Sequence, residues 1–90
     1  MNKQRRKELS ELQERIQKLI EEAEGIKNAL EDIAEEEEDY RDNIPENLYG
    51  SERYEQSEEA SENMEDAMSS LDDAIDALNS AYDSTEEAIG

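Results

Sequence analysis

Arg41, Asn43, Asn47, Tyr49, Arg53 and Tyr54 lie within one short stretch of this chain. Side chains of these types hold small anions that carry a flat ring. A guanidinium makes two-point contact with phosphate or carboxylate, a tyrosine stacks a base, and an asparagine amide reads its edge. Chemistry that makes or breaks bonds has far less to work with. There is no Cys and no His, no Gly-rich phosphate loop, and no Ser in a nucleophile-elbow pattern. Carboxylates are plentiful, but a catalytic pair needs a cleft that drives two pKa values apart. A di-iron helical site needs Glu-x-x-His motifs, which this chain cannot supply, and calcium loops are missing. These residues point to a protein that binds without catalysis, with no metal and no cofactor.

The segment that presents these residues is a turn between two long helices. Residues 54–89 repeat one phrase every seven residues: two acidic or polar residues, then alanine, at Ala60, Ala67, Ala74, Ala81 and Ala88. Met64, Met68, Leu71, Ile75, Leu78, Tyr82, Thr85 and Ile89 alternate at steps of four and three between them. That is a heptad repeat, with Met68, Ile75, Tyr82 and Ile89 at a, Met64, Leu71, Leu78 and Thr85 at d, and the alanines at g. Helix one spans about residues 5–40. Leu9, Leu12, Ile16, Leu19, Ala23, Ile26, Leu30 and Ile33 follow the same spacing, and Ile20, Ala34 and Ala29 widen the stripe. At ~1.5 Å per residue the helix is about 50 Å long, and helix two, about residues 53–89, matches it.

Two matched helices and a tip at residues 41–52 predict one all-α domain over residues 1–90, an antiparallel two-helix hairpin. Ile44 precedes the only proline and is pushed towards extended backbone. Asn43 can cap a short turn with Glu46, Gly50 can end it, and Ser51 can cap helix two. The charges of helix one oppose its dipole, with Lys3, Arg5, Arg6 and Lys7 at the positive end and residues 35–39 acidic at the other. A hairpin offsets this in part by laying the basic start beside Asp83, Glu86 and Glu87.

The net charge is −19 on 90 residues, and only 33% of them are hydrophobic. Such a balance usually gives disorder, yet a disordered tail has no reason to keep a heptad period. Association reconciles the two: one hairpin buries too little and several bury enough. The expectation is therefore a four-helix bundle dimer or a higher homo-oligomer. Ala60, Ala67, Met68, Ala74, Ile75, Ala81, Tyr82 and Ala88 are the predicted interface, and the alanine ridge resembles the close antiparallel pairing called an Alacoil. No apolar run is long enough to span a membrane. The basic start is not followed by the apolar core of a secretory signal, so a soluble cytosolic protein is the expectation.

The tip segment NIPENLYGSERYE, residues 43–55, and the acidic alanine repeat after it resemble small acidic helical proteins encoded by phages and mobile elements of Gram-positive bacteria. The resemblance implies a counter-defence factor, with a host defence protein as a further possible partner. Two modes of binding follow. In the first, the tip sequesters a nucleotide-type ligand. Arg41 and Arg53 flank it, and Arg5, Arg6 and Lys7 of a neighbouring chain join them. The competing role for both arginines is neutralisation of residues 36–39 and of Glu52 and Glu55. In the second, the acidic rod acts as a DNA mimic and binds a DNA-handling protein rather than nucleic acid. Duplex DNA carries one charge per ~1.7 Å, a comparable line charge, although acid pairs ~10 Å apart do not reproduce phosphate spacing. Solubility alone also accounts for high acidity. A structural coiled-coil module is the third reading.

Overall fold

The computed structural model describes residues 1–90 and contains two long helices, α1 (Lys3–Asp42) and α2 (Glu52–Ile89). They form a helical hairpin, and a single 3-10 turn at Glu46–Leu48 lies between them. No strand is present. Helix α1 reaches two residues beyond the expected span at each end and α2 one residue at its start, and each of these three ends finds a cap. At the start of α1, the Asn2 side chain accepts from the Arg5 amide at 2.8 Å. At its end the Asn43 amide group donates to the Asp39 carbonyl at 2.8 Å. Asn43 thus closes α1 rather than opening the 3-10 turn, whose preceding residue is Pro45 with no side-chain cap. Ser51 caps α2 as expected: its hydroxyl accepts from the Tyr54 amide at 3.3 Å, and Glu52 and Glu55 in the first turn suit the helix dipole.

Two packing units divide the hairpin: Met1–Gly25 with Leu71–Gly90, and Ile26–Ser70, which holds the tip. In the first, Leu9, Gln13, Ile16, Ile20 and Ala23 are buried or half-buried, as are Leu71, Ile75, Leu78, Tyr82, Thr85 and Ile89. Ile20 is the only one of these that is buried rather than half-buried, at 4% exposed. Across this seam the Gln13 side-chain amide donates to the Glu86 carboxylate. In the tip unit the inward residues of α1 are Lys27, Leu30, Ala34, Glu37, Tyr40 and Arg41, followed by Ile44 in the turn. Those of α2 are Tyr54, Ser57, Ala60, Ser61, Met64 and Met68.

The seam on α2 is the one its heptads predict. That on α1 is shifted by one position. Leu9, Ile16, Ala23 and Leu30 lie inside, but their companions are Gln13, Ile20, Lys27 and Ala34. Leu12, Leu19, Ile26 and Ile33 face outwards, 46, 57, 46 and 52% exposed. Hydrogen bonding explains the choice. Arg41 continues the row of Lys27 and Ala34, and its bonds to Ser57 and Ser61 draw that row towards α2. In the other unit Gln13, in the same row as Ile20, is drawn inwards by Glu86. Turning either row in turns the row beside it out, because adjacent residues on a helix point ~100° apart.

Candidate functional site

The turn folds back on itself through short backbone bonds, Leu48 N to Pro45 O at 2.8 Å and Ser51 N to Leu48 O at 3.0 Å. This brings Ile44 under the turn, where it is 9% exposed, and sets the side chains around it in two groups. Tyr49 and Tyr54 stack on each other, with ring centroids 4.7 Å apart and planes inclined by 29°. On the other side, Arg53 pairs with Tyr40. Its Nε donates to the tyrosine hydroxyl, and its guanidinium carbon lies 5.2 Å from the centre of the Tyr40 ring. That arrangement combines a hydrogen bond with a cation–π contact, so the arginine is held in place before any ligand arrives.

Arg53 and Tyr40 line a hollow of about 340 Å³ with Asn43, Ile44, Pro45, Leu48 and Ser51. The volume lies within the range of small-ligand sites, roughly 300–1,000 Å³. Pro45 and Leu48 give it apolar walls, and Leu48 is 47% exposed. The bond to Tyr40 uses Nε and leaves the two terminal nitrogens of Arg53 outside that bond. Those nitrogens can make a forked contact with an oxyanion.

Of the candidate residues, Asn43 and Arg53 meet in this hollow. Arg41 does not join them. Its terminal nitrogen donates to the Ser57 carbonyl at 3.2 Å, to the Ser57 hydroxyl at 3.4 Å and to the Ser61 hydroxyl at 2.6 Å. It lines a separate hollow of about 470 Å³ with Glu31, Glu35, Glu38 and Glu65 among its walls. The two arginines that flank the tip in sequence therefore serve different surroundings. Asn47 is exposed outside the hollow, and Tyr49 and Tyr54 occupy each other. Arg5, Arg6 and Lys7 are exposed and belong to the other unit. Among the proposed interface residues, Met68, Ile75 and Tyr82 are half-buried in the seam against α1, as is Ala60, while Ala67, Ala74, Ala81 and Ala88 are exposed.

Sequence reasoning gathers Tyr40, Ile44 and Leu48 at the tip as a satellite core or a site without naming them as ligand contacts, reads Ser51 only as a cap, and sets Ser57 and Ser61 opposite Glu37 and Tyr40 rather than Arg41. A signal for Tyr40 as a lining residue was present. Tyr40 falls seven residues after Ile33, and Arg53 falls seven before Ala60, so heptad position sets both on matching flanks. No grouping of acidic side chains is disposed to hold a metal ion, and no helix is long and apolar enough to cross a membrane. The chain matches no protein-family profile, no curated protein and no solved structure.

Proposed function

We propose that the chain is a non-catalytic binding protein which works as an oligomer of hairpins and captures a small anionic ligand of nucleotide type at the tip. One observation carries this reading: Arg53 is fixed against Tyr40 at the edge of a hollow with apolar walls, on a chain of net charge −19. An anion drawn to such a chain needs a local cation already in position, and Arg53 supplies it. Asn43 lies on the same hollow to read a ring edge, and Leu48 offers a surface for the ring itself. The oligomeric part is supported by the small interior of one hairpin. Ile20, Ile44 and Ser57 are its only buried residues. On the resemblance of the tip segment, the setting is the cytoplasm of a bacterial host and the role is counter-defence.

Titration calorimetry with a panel of mononucleotides and cyclic dinucleotides tests the capture. A bound nucleotide should lose at least ~10-fold in affinity on Arg53→Ala, since a hydrogen bond to a charged group contributes roughly 1.5–3 kcal/mol. Saturating heat with wild type that Arg53→Ala leaves unaltered would sink the assignment, as would the absence of any nucleotide binding.

A second reading, DNA mimicry, is favoured by a different observation: every Asp and Glu is exposed apart from the half-buried Glu37. A mimic should bind a DNA-handling protein with affinity that falls steeply as salt rises, and should ignore Arg53→Ala.

A further inference from the structure

We infer that the ligand of the tip hollow is a nucleotide whose phosphate is a diester, with one negative charge shared by two free oxygens, and that the acids around the hollow reject nucleotides of higher charge. This deepens the capture reading above and rests on it. Every residue it uses lies in the tip unit, Ile26–Ser70. The cations of that unit are Lys27, Arg41 and Arg53. Arg41 is taken up by Ser57 and Ser61 and lines the other hollow. Lys27 lies about 20 Å before Tyr40 along α1, at ~1.5 Å per residue. That is more than two screening lengths at physiological salt, so its charge is not felt at the hollow. Arg53 acts alone there.

Arg53 brings one positive charge and, beyond its bond to Tyr40, two terminal nitrogens. Glu52, the acid beside it in sequence, accepts from the Gln56 side-chain amide at 3.2 Å. A phosphodiester matches the arginine on both counts, with one negative charge and two free oxygens set for a forked contact. A terminal phosphate has three such oxygens and carries close to two charges at neutral pH, because its second proton leaves at a pKa of about 6. One guanidinium cannot balance it.

The surroundings decide against a second charge. Asp39, Asp42, Glu46 and Glu52 are exposed, and each is next in sequence to a residue that lines the hollow: Tyr40, Asn43, Pro45 or Arg53. With ~3.8 Å between successive Cα atoms, their charges lie on the order of 10 Å from a bound phosphate. A second ligand charge, one phosphate further out, lies about 7 Å from the guanidinium. Coulomb energy goes as charge over distance, so these acids at ~10 Å repel it roughly three times as strongly as one arginine at ~7 Å attracts it. At ~0.15 M salt the ratio falls to about two, since the longer separations are screened more. The first charge meets the same repulsion but gains the contact with Arg53. Each further charge meets repulsion alone.

Titration calorimetry on the full chain tests this with each common base in four forms: the 3′,5′-cyclic monophosphate and the 5′-mono-, di- and triphosphate, at pH 8 without divalent cations. At about 0.05 M salt the cyclic diester should bind about 10-fold tighter than the triphosphate of the same base, with the others between. At ~0.15 M the gap should narrow to about 3-fold. Lowering the pH to about 5.5 takes the 5′-monophosphate from two charges towards one, so its affinity should approach that of the diester. The diester keeps its single charge throughout and reports any change in the protein itself. The double variant Asp42→Asn, Glu46→Gln, at two exposed positions, should bring the triphosphate to within about 3-fold of the diester at the lower salt. A 5′-phosphate that wild type binds at pH 8 as tightly as the diester, and that Arg53→Ala loses, would overturn this inference and leave capture at the tip standing. So would a selectivity that the double variant leaves unchanged. Binding that Arg53→Ala leaves unaltered, or no binding of any form, would overturn both.

Discussion

Arg41 offers the sharpest separation between a ligand-binding and a structural arginine. It lies in the last turn of α1, a position its charge suits, and it reaches across to Ser57 and Ser61. Ser57 is 3% exposed with Arg41 over it, so removal of Arg41 takes away the partner of a hydroxyl that meets water only as far as the vacated space admits it. The carbonyl of Ser57 keeps its place in the α2 hydrogen-bond ladder, and a serine hydroxyl can turn back to a carbonyl of its own helix. Those two outlets remove part of the penalty. What remains is one short charged bond to Ser61 and the desolvated Ser57 hydroxyl, together about 2 kcal/mol. For a chain of this size each kcal/mol shifts the melting midpoint by roughly 4–8 °C, so Arg41→Ala should melt about 8–16 °C lower. Arg41→Lys, a point charge without the fork, should fall between. The assay is thermal unfolding by circular dichroism at fixed protein concentration and without added ligand. A ligand-free midpoint that moves by less than about 2 °C would refute the structural assignment and return Arg41 to the binding site.

Two further outcomes follow from the same geometry. A methyl group added at Gly25 meets nothing within 4 Å, so Gly25→Ala should stabilise the helix by about 0.5–1 kcal/mol, read as a higher melting midpoint; a lower one would mean that α1 bends there. At net charge −19, raising ionic strength from about 0.01 M to about 1 M shrinks the screening length from ~30 Å to ~3 Å. Melting midpoint should rise with sodium chloride over that range, and a falling midpoint would show that ion pairs outweigh self-repulsion.

The helices and the α2 seam were legible because α2 has one unambiguous heptad pattern. Its acids occupy other positions, and Met64, Met68, Leu71, Ile75, Leu78 and Tyr82 can face only one way. On α1 the same spacing rule fits two rows at once. Leu9, Ile16, Ala23 and Leu30 belong to both, and periodicity ranks the row of Leu12, Leu19, Ile26 and Ile33 above that of Gln13, Ile20, Lys27 and Ala34 by apolarity alone. The fold ranks them the other way, because Gln13 and Arg41 make bonds to α2 that leucine and isoleucine cannot. At the tip, the residue types singled out the segment that holds the hollow lined by Asn43 and Arg53. Which arginine faces which hollow depended on the rotation of α1, and that rotation was the quantity periodicity left open.

That reversal has a consequence for specificity. A hairpin closed by its most apolar rows would hold together well but could slide by a heptad, since leucine on leucine looks alike at every step. Closing on Gln13 and Arg41 instead ties the register to two bonds that exist at only one alignment. The cost is that the best apolar row stays outside, where Leu12, Leu19, Ile26 and Ile33 remain about half exposed. Covering the remaining half would contribute on the order of 1 kcal/mol per residue. On a chain whose charge favours dispersal, that gain is large enough to matter only when all four are covered together. Register is therefore set inside the hairpin by polar side chains, and apolar area is left for what meets it from outside.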